Sequence, residues 1–184
     1  MEGARTDAIA AAAGVNKAML YYYFKSKAKL YAAVLEANAT EFHRRADDVL
    51  SGEGSASAIL IRYISNHLDF IGARPYYPRL FQRLMMAGDR SVERLIKMHS
   101  IPIYQRLAEL VEKGMRSGEF RSLNVRHTVV SLAALTLFYF NAAPIVRKIS
   151  GVDVFGKAEQ ARRKDEVLNF VRYALFTDPE ADVQ

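Results

Sequence analysis

The sequence predicts an all-α protein: a helix-turn-helix at the N-terminus, fused to a helical bundle. Three observations carry this. Apolar residues recur at helical spacing along most of the 184-residue chain. No stretch sustains the period-two alternation and hairpin signals of strands. The breaks between apolar stretches hold capping and turn residues. Apolar residues make up 51% and charged residues 25% of the chain, ordinary globular values that argue against wholesale disorder. The length allows a substantial buried core and either one large domain or a small one fused to a larger.

The spacing predicts helices near 5–13, 17–23, 27–50, 56–73, 78–87, 91–116, 125–149 and 157–177. In the first, Ile9 is followed by four alanines, a smooth surface for close helix approach. Gly14 can take the positive φ of an abrupt reversal, Val15 fills the corner, and Asn16 can cap the next helix. In that second helix Leu20 and Phe24, four residues apart, face inward. Ser26 N-caps the third helix, whose Leu30, Tyr31, Val34, Leu35, Phe42 and Val49 share a face. Ser51-Gly52-Glu53-Gly54-Ser55 marks a boundary between residues 1–50, helix-turn-helix plus connecting helix, and residues 51–184. Pro75 and Pro78 punctuate the next junction, and Pro102 predicts a kink or break inside 91–116. The segments at 88–91 and 118–122 read as further connections.

Residues 128–146 form a 19-residue run without charge, flanked by Arg126 and Arg147. Length alone permits a membrane span. Ser131, Thr136, Asn141 and Pro144 within it, and the basic amphipathic helix after it, favour a buried bundle helix or subunit interface. No secretory signal opens the chain.

Net charge is +6, a balance that favours polyanionic partners. In residues 1–31, Arg5, Lys17, Lys25, Lys27 and Lys29 outweigh Glu2 and Asp7. Placement sharpens this. With Leu20 and Phe24 inward, Lys17, Ala18, Met19, Tyr21 and Tyr22 point outward. Lys17 can reach phosphate or a guanine edge, and Ala18 lets the backbone approach bases. Tyrosine hydroxyls donate to phosphate, and Lys27 opens a helix whose free N–H groups favour an anion. Tyr23 is expected to pack between helices instead.

The stretch Ile9-Ala10-Ala11-Ala12-Ala13-Gly14-Val15-Asn16-Lys17-Ala18-Met19-Leu20-Tyr21-Tyr22-Tyr23-Phe24-Lys25-Ser26-Lys27, followed by Leu30-Tyr31, resembles the TetR family of bacterial transcriptional regulators. The likeness covers about a sixth of the chain; beyond residue 50 only the succession of helices is similar. It implies a cytoplasmic, operator-binding homodimer, a repressor released from double-stranded DNA by a small molecule. It places Lys17, Ala18, Met19, Tyr21 and Tyr22 in the major groove or on its phosphates, and Lys27 on the backbone. Where the family carries a phosphate-contacting threonine or serine, this chain has Ala4 and Arg5, with Thr6 next. Arg5 can supply a charged contact there.

Family members also carry a full amphipathic helix before this point, and Met1 occupies the apolar position that follows it. Met1 is then either internal to a longer protein or the true start. In the second case Ile9, Leu20 and Phe24 lose cover, each worth about 1.5–3 kcal/mol when fully buried. DNA binding would weaken or vanish, leaving the alternative reading: a dimeric small-molecule-binding or interaction protein.

A sensor must lie in residues 55–184. Leu60, Tyr63, Ile64, His67, Leu68 and Ile71 fall on one side of the fourth helix. Phe81, Met85, His99, Ile103, Tyr104 and Phe138 can complete an apolar chamber with a few polar tips. Tyr63, His67, His99 and Tyr104 are the candidate ligand-binding residues, for a largely apolar effector. For each one, packing in a filled core is the competing reading. Val167, Leu168, Val171 and Leu175, with residues 138–145, are expected to pair helices 125–149 and 157–177 across a twofold axis. Residues 162–166 read as a solvated face. An enzyme is not expected. The chain has no cysteine, glycine-rich phosphate loop, nucleophile elbow or metal-spaced histidine pair, and the histidines at 43, 67, 99 and 127 are isolated in sequence. No cofactor or metal is called for.

Overall fold

The computed structural model of the chain describes residues 6–87 and 90–180. Its helices are α1 (Thr6–Ala12), α2 (Lys17–Phe24), α3 (Lys27–Leu50), α4 (Ala56–Gly72), α5 (Tyr77–Ala87), α6 (Arg90–Leu95), α7 (Ile101–Arg116), α8 (Val125–Asn141), α9 (Ala143–Ser150) and α10 (Lys157–Leu175). Among the described residues there is no β-sheet, only an isolated bridge between Phe120 and Phe176.

Local chemistry explains the head. Gly14 takes φ +66°, and Asn16 Oδ1 accepts from the Met19 N–H at 2.9 Å. Ser26 Oγ accepts from the Lys29 N–H at 3.2 Å and so starts α3. Between these caps Lys25 closes α2 at φ +61°, an uncommon conformation for a residue with a Cβ. Leu20 and Leu30 are buried, while Ile9 and Phe24 are half-buried.

The body is built around α4. Its Ile59, Leu60, Tyr63, Ile64, Leu68, Phe70 and Ile71 are buried, and it packs on α3, α7, α8 and α10. A stripe this wide makes α4 a core helix rather than a surface one. Glu119 ties the body together: its carboxylate accepts from the Ser57 N–H and Oγ, both at 2.8 Å, at the start of α4. Partial burial opposes its charge, but these bonds and one from Ser117 outweigh that and hold its pKa below the ordinary value.

Two predicted helices are each split. The expected 91–116 helix becomes α6, a π-helical turn at Ile96–Ser100, and α7. Pro102 lies in the first turn of α7, so the break expected from its missing N–H and its ring takes the form of the π-helical turn directly before it. The expected 125–149 helix bends by 68° between α8 and α9, with Pro144 in the first turn of α9. No single helix among the described residues is long and apolar enough to cross a membrane; α8 and α9 pass that test only as this bent pair.

The last helix turns its apolar stripe inward. Val167, Val171 and Leu175 are buried in the chain's own core and Leu168 half-buried, so this stripe is not the free face expected of it. The cause is α4, whose broad apolar surface needs α10 as a partner. The exposed apolar residues nearby are instead Phe138 on α8, Ile145 and Ile149 on α9, and Phe170 and Tyr173 on α10. Residues 162–166 are not simply solvated either. Arg163 lies over the Tyr139 ring at 4.6 Å and donates to the Leu135 carbonyl at 3.0 Å, and Lys164 pairs with Asp69.

Candidate DNA-reading face and ligand chamber

The caps of α2 and α3 fix which side chains face outward. Lys17, Ala18, Met19, Tyr21 and Tyr22 are all exposed on α2, and Tyr22 is 70% exposed. Lys17 Nζ lies 2.9 Å from Asp7 Oδ1, an exposed pair that water and phosphate can compete for. Lys25 Nζ sits 5.0 Å over the Tyr22 ring, and Lys27 Nζ 5.6 Å over the Tyr31 ring. Both ammonium groups therefore stand beside tyrosines near the α2–α3 corner. Thr6 is half-buried at the start of α1. Arg5 lies outside the described residues.

Tyr23 differs from expectation. It is 66% exposed and meets Tyr22 edge-on at 5.3 Å, so it adds to the outward aromatic surface rather than packing between helices. Eight residues of α2 give only two turns, and Leu20 and Phe24 already occupy the inward side.

Behind the head lies a cavity of about 300 Å³. Tyr63, His67, His99 and Tyr104, which come from α4, the π-helical turn and α7, all line it. So do Phe81 and Ile103, whereas Phe138 is 68% exposed and points away. The α8 residues that reach the chamber are Val129, Val130, Ala133 and Leu137, one helical face; Phe138 lies beyond it. Met85's side chain lies outside the described residues. Leu60, Ile64, Leu68 and Ile71 are buried core beside the chamber rather than lining.

Sequence reasoning also missed part of the wall. Leu35, Ala39 and Phe42 of α3 line the cavity, so one helix starts beside the reading face and runs on to the chamber. Phe42's apolar spacing was visible, but its neighbour was not: its ring stacks on His67 at 4.5 Å. Pro102 signalled an interruption here, but not that it would be a π-helical turn carrying His99 and Ser100 into the wall; such turns are frequent at functional sites.

The polar groups of the chamber are set by their partners. Thr136 Oγ1 lies 3.0 Å from the Leu132 carbonyl and 3.1 Å from His67 Nδ1. Its one hydrogen goes to the carbonyl, which assigns Nδ1–H of His67 as donor and leaves Nε2 as an acceptor. Burial holds the His67 pKa down at about 4. His99 is lowered too, first by burial and then by nearby His43 and Arg94, with Glu36 opposing. Both ring nitrogens of His99 are shielded from solvent and have no hydrogen-bond partner among the described residues. Among the described residues no Asp, Glu, Lys or Arg lines the cavity. Among the described residues no three His, Asp or Glu side chains converge as a metal site.

Family models match both the N-terminal and the C-terminal part of the chain. A family model described as "Bacterial regulatory proteins, tetR family" matches residues 1–34, and one described as "Tetracyclin repressor-like, C-terminal domain" matches residues 59–171. The chain is similar to the HTH-type transcriptional regulator RutR of Escherichia coli K12, 28% identical over 149 residues, 81% of this chain and 70% of RutR. It is 27% identical over 167 residues to the HTH-type transcriptional repressor NicS of Pseudomonas putida, covering 86% of this chain and 76% of NicS. Its fold matches that of AibR, solved in complex with isovaleryl coenzyme A and operator DNA, with a TM-score of 0.73 at 13% identity, over 91% of this chain and 86% of AibR.

Proposed function

Since the chain belongs to the tetR family of bacterial regulatory proteins, and is therefore a ligand-responsive, DNA-binding transcriptional regulator, we propose how its parts divide that work. Residues 1–50 form the DNA-reading unit with its connecting helix, and residues 51–184 the ligand-binding and dimerisation unit. Lys17, Ala18, Met19, Tyr21 and Tyr22 contact the major groove of operator DNA or its flanking phosphates, Tyr22 through a phosphate. Arg5, Thr6 and Lys27 anchor on its phosphates. The observation that carries this reading is the shared outward exposure of the α2 set beside two ammonium groups. Hydroxyl and ammonium donors on one face suit a phosphate backbone.

Tyr63, His67, His99 and Tyr104 bind the effector. Occupancy of the chamber moves α3, which both lines it and bears Lys27, and the reading face leaves its operator. Repression is supported by likeness to NicS, a repressor by name. The protein works in the cytoplasm and catalyses no reaction. Two copies pair through α8, α9 and α10, using exposed Phe138, Ile145, Ile149, Phe170 and Tyr173; apolar residues this exposed suit a subunit interface. Such a dimer presents two α2 helices to two half-sites of one operator.

Gel-shift titration of the full-length protein against the DNA upstream of its own gene tests the reading. Binding that weakens steeply with salt is expected, because phosphate contacts release counterions. No binding, or binding indifferent to salt, would sink it.

A further inference from the structure

The chamber's make-up narrows the class of effector, given the regulator reading above. A cavity of about 300 Å³ stands at the lower end of the range of small-molecule sites, about 300–1,000 Å³, so it suits a compact ligand. Its walls are rich in rings: Phe42, Tyr63, Tyr77, Phe81 and Tyr104, with His67 stacked on Phe42. Flat ligands gain most from such walls, by offset or edge-to-face packing.

Charge is excluded on separate grounds. Among the described residues no Asp, Glu, Lys or Arg lines the chamber, and its two histidines are held towards the neutral form. A carboxylate or phosphate entering it would therefore lose its water without meeting a standing counter-charge. An ammonium group would gain ring faces but no carboxylate. Meanwhile His99 holds in the wall one donor and one acceptor without a partner among the described residues, where buried polar groups are ordinarily paired. A ligand hydroxyl, which both gives and takes a hydrogen bond, can serve either nitrogen.

We propose that the effector is a compact, uncharged aromatic molecule bearing a hydroxyl-like polar group, seated among these rings with that group on His99. The long coenzyme-A moiety present in the AibR complex does not fit this chamber by size or by charge. Val130, on the wall and 57% exposed, marks where the chamber reaches the surface and so where the ligand enters.

Calorimetric titration of the full-length protein with 2-naphthol, 2-naphthoate and 2-naphthylmethylammonium tests this, since the three share one ring system, are close in size and differ in charge. The neutral probe should bind tighter than either charged one by about tenfold or more, the unpaired charge being the difference. His99→Leu should weaken 2-naphthol by about fivefold through the lost hydrogen bond. Ala133→Phe, and independently Ala39→Phe, should abolish binding by filling the chamber while leaving circular dichroism unchanged. A charged probe binding as tightly as the neutral one, or none of the three binding, would overturn the proposal. DNA titration of the same samples separates the two claims. Release from DNA by the anion refutes the ligand class alone; 2-naphthol binding by a protein that never binds DNA refutes the regulator reading alone.

Discussion

The reading head and the body behind it use opposite architectures. The head keeps a thin core and spends its side chains outward: of α2's eight residues, Leu20 alone is buried. The body buries most of α4 and assembles its chamber from α3, α4, α5, α6, α7, α8 and the π-helical turn. One site is contiguous and local; the other exists only when distant helices meet. Substitutions in the body should therefore act through stability and ligand, and those in the head through DNA with smaller effects on stability.

The largest expected effect is in the body and depends on pH. His67 titrates at about 4 when folded, against an ordinary value of 6.5. Between those values the unfolded chain binds the extra proton, so this contribution is complete above pH 6.5 and is lost as pH falls toward 4. The loss amounts to about 3 kcal/mol. Urea denaturation of wild type and His67→Asn at pH 7 and pH 4.5 checks this: the variant should show the shallower pH dependence. Equal dependences would show that His67 is not held neutral by its burial.

Next comes a pair of glycines that sets body against head. A Cβ on Gly114 would lie 2.3 Å from the Phe120 ring, itself buried and stacked on Phe176 at 5.3 Å. Gly114→Ala should cost about 2–3 kcal/mol in denaturant unfolding, as overpacking does in tight cores. Gly14→Ala meets nothing within 4 Å, and only its φ of +66° resists the change. Its expected cost is about 1 kcal/mol, the left-handed penalty, with DNA affinity falling because α2 is re-aimed. If Gly14→Ala cost the more stability, the contrast between thick and thin cores would fail.

The smallest effect is at Tyr22. Tyr22→Phe should leave the unfolding midpoint unchanged, since the ring is exposed. It should weaken DNA binding several-fold whatever the sequence, a loss of about 1 kcal/mol for one phosphate hydrogen bond. Sequence-selective weakening would instead place Tyr22 on base edges.

What was legible in the sequence follows the same division. Gly14, Asn16 and Ser26 act on neighbours within a few positions, so the turn and both caps could be read directly, and with them the outward set on α2. In the body, the apolar stripe of Val167, Val171 and Leu175 was visible, but a stripe does not say what covers it. The chain's own α4 and a second copy make the same demand on residue type. Tyr63, His67, His99 and Tyr104 stood out as polar tips on apolar helices, and the fold brings them to one cavity. The share of Leu35, Ala39 and Phe42 in that cavity depends on how α3 leans on the bundle, which no local pattern encodes. Pro102 announced an interruption in 91–116, but its π-helical form, like the bend before α9, is settled by packing.

The most direct test of the central claim, that the contiguous head is a phosphate-anchored DNA reader, is the salt dependence of operator binding by wild type and Lys27→Ala. The account predicts weaker binding for the variant on every DNA sequence and a slope of log affinity against log salt that is shallower by about one. Unchanged affinity and an unchanged slope would contradict it.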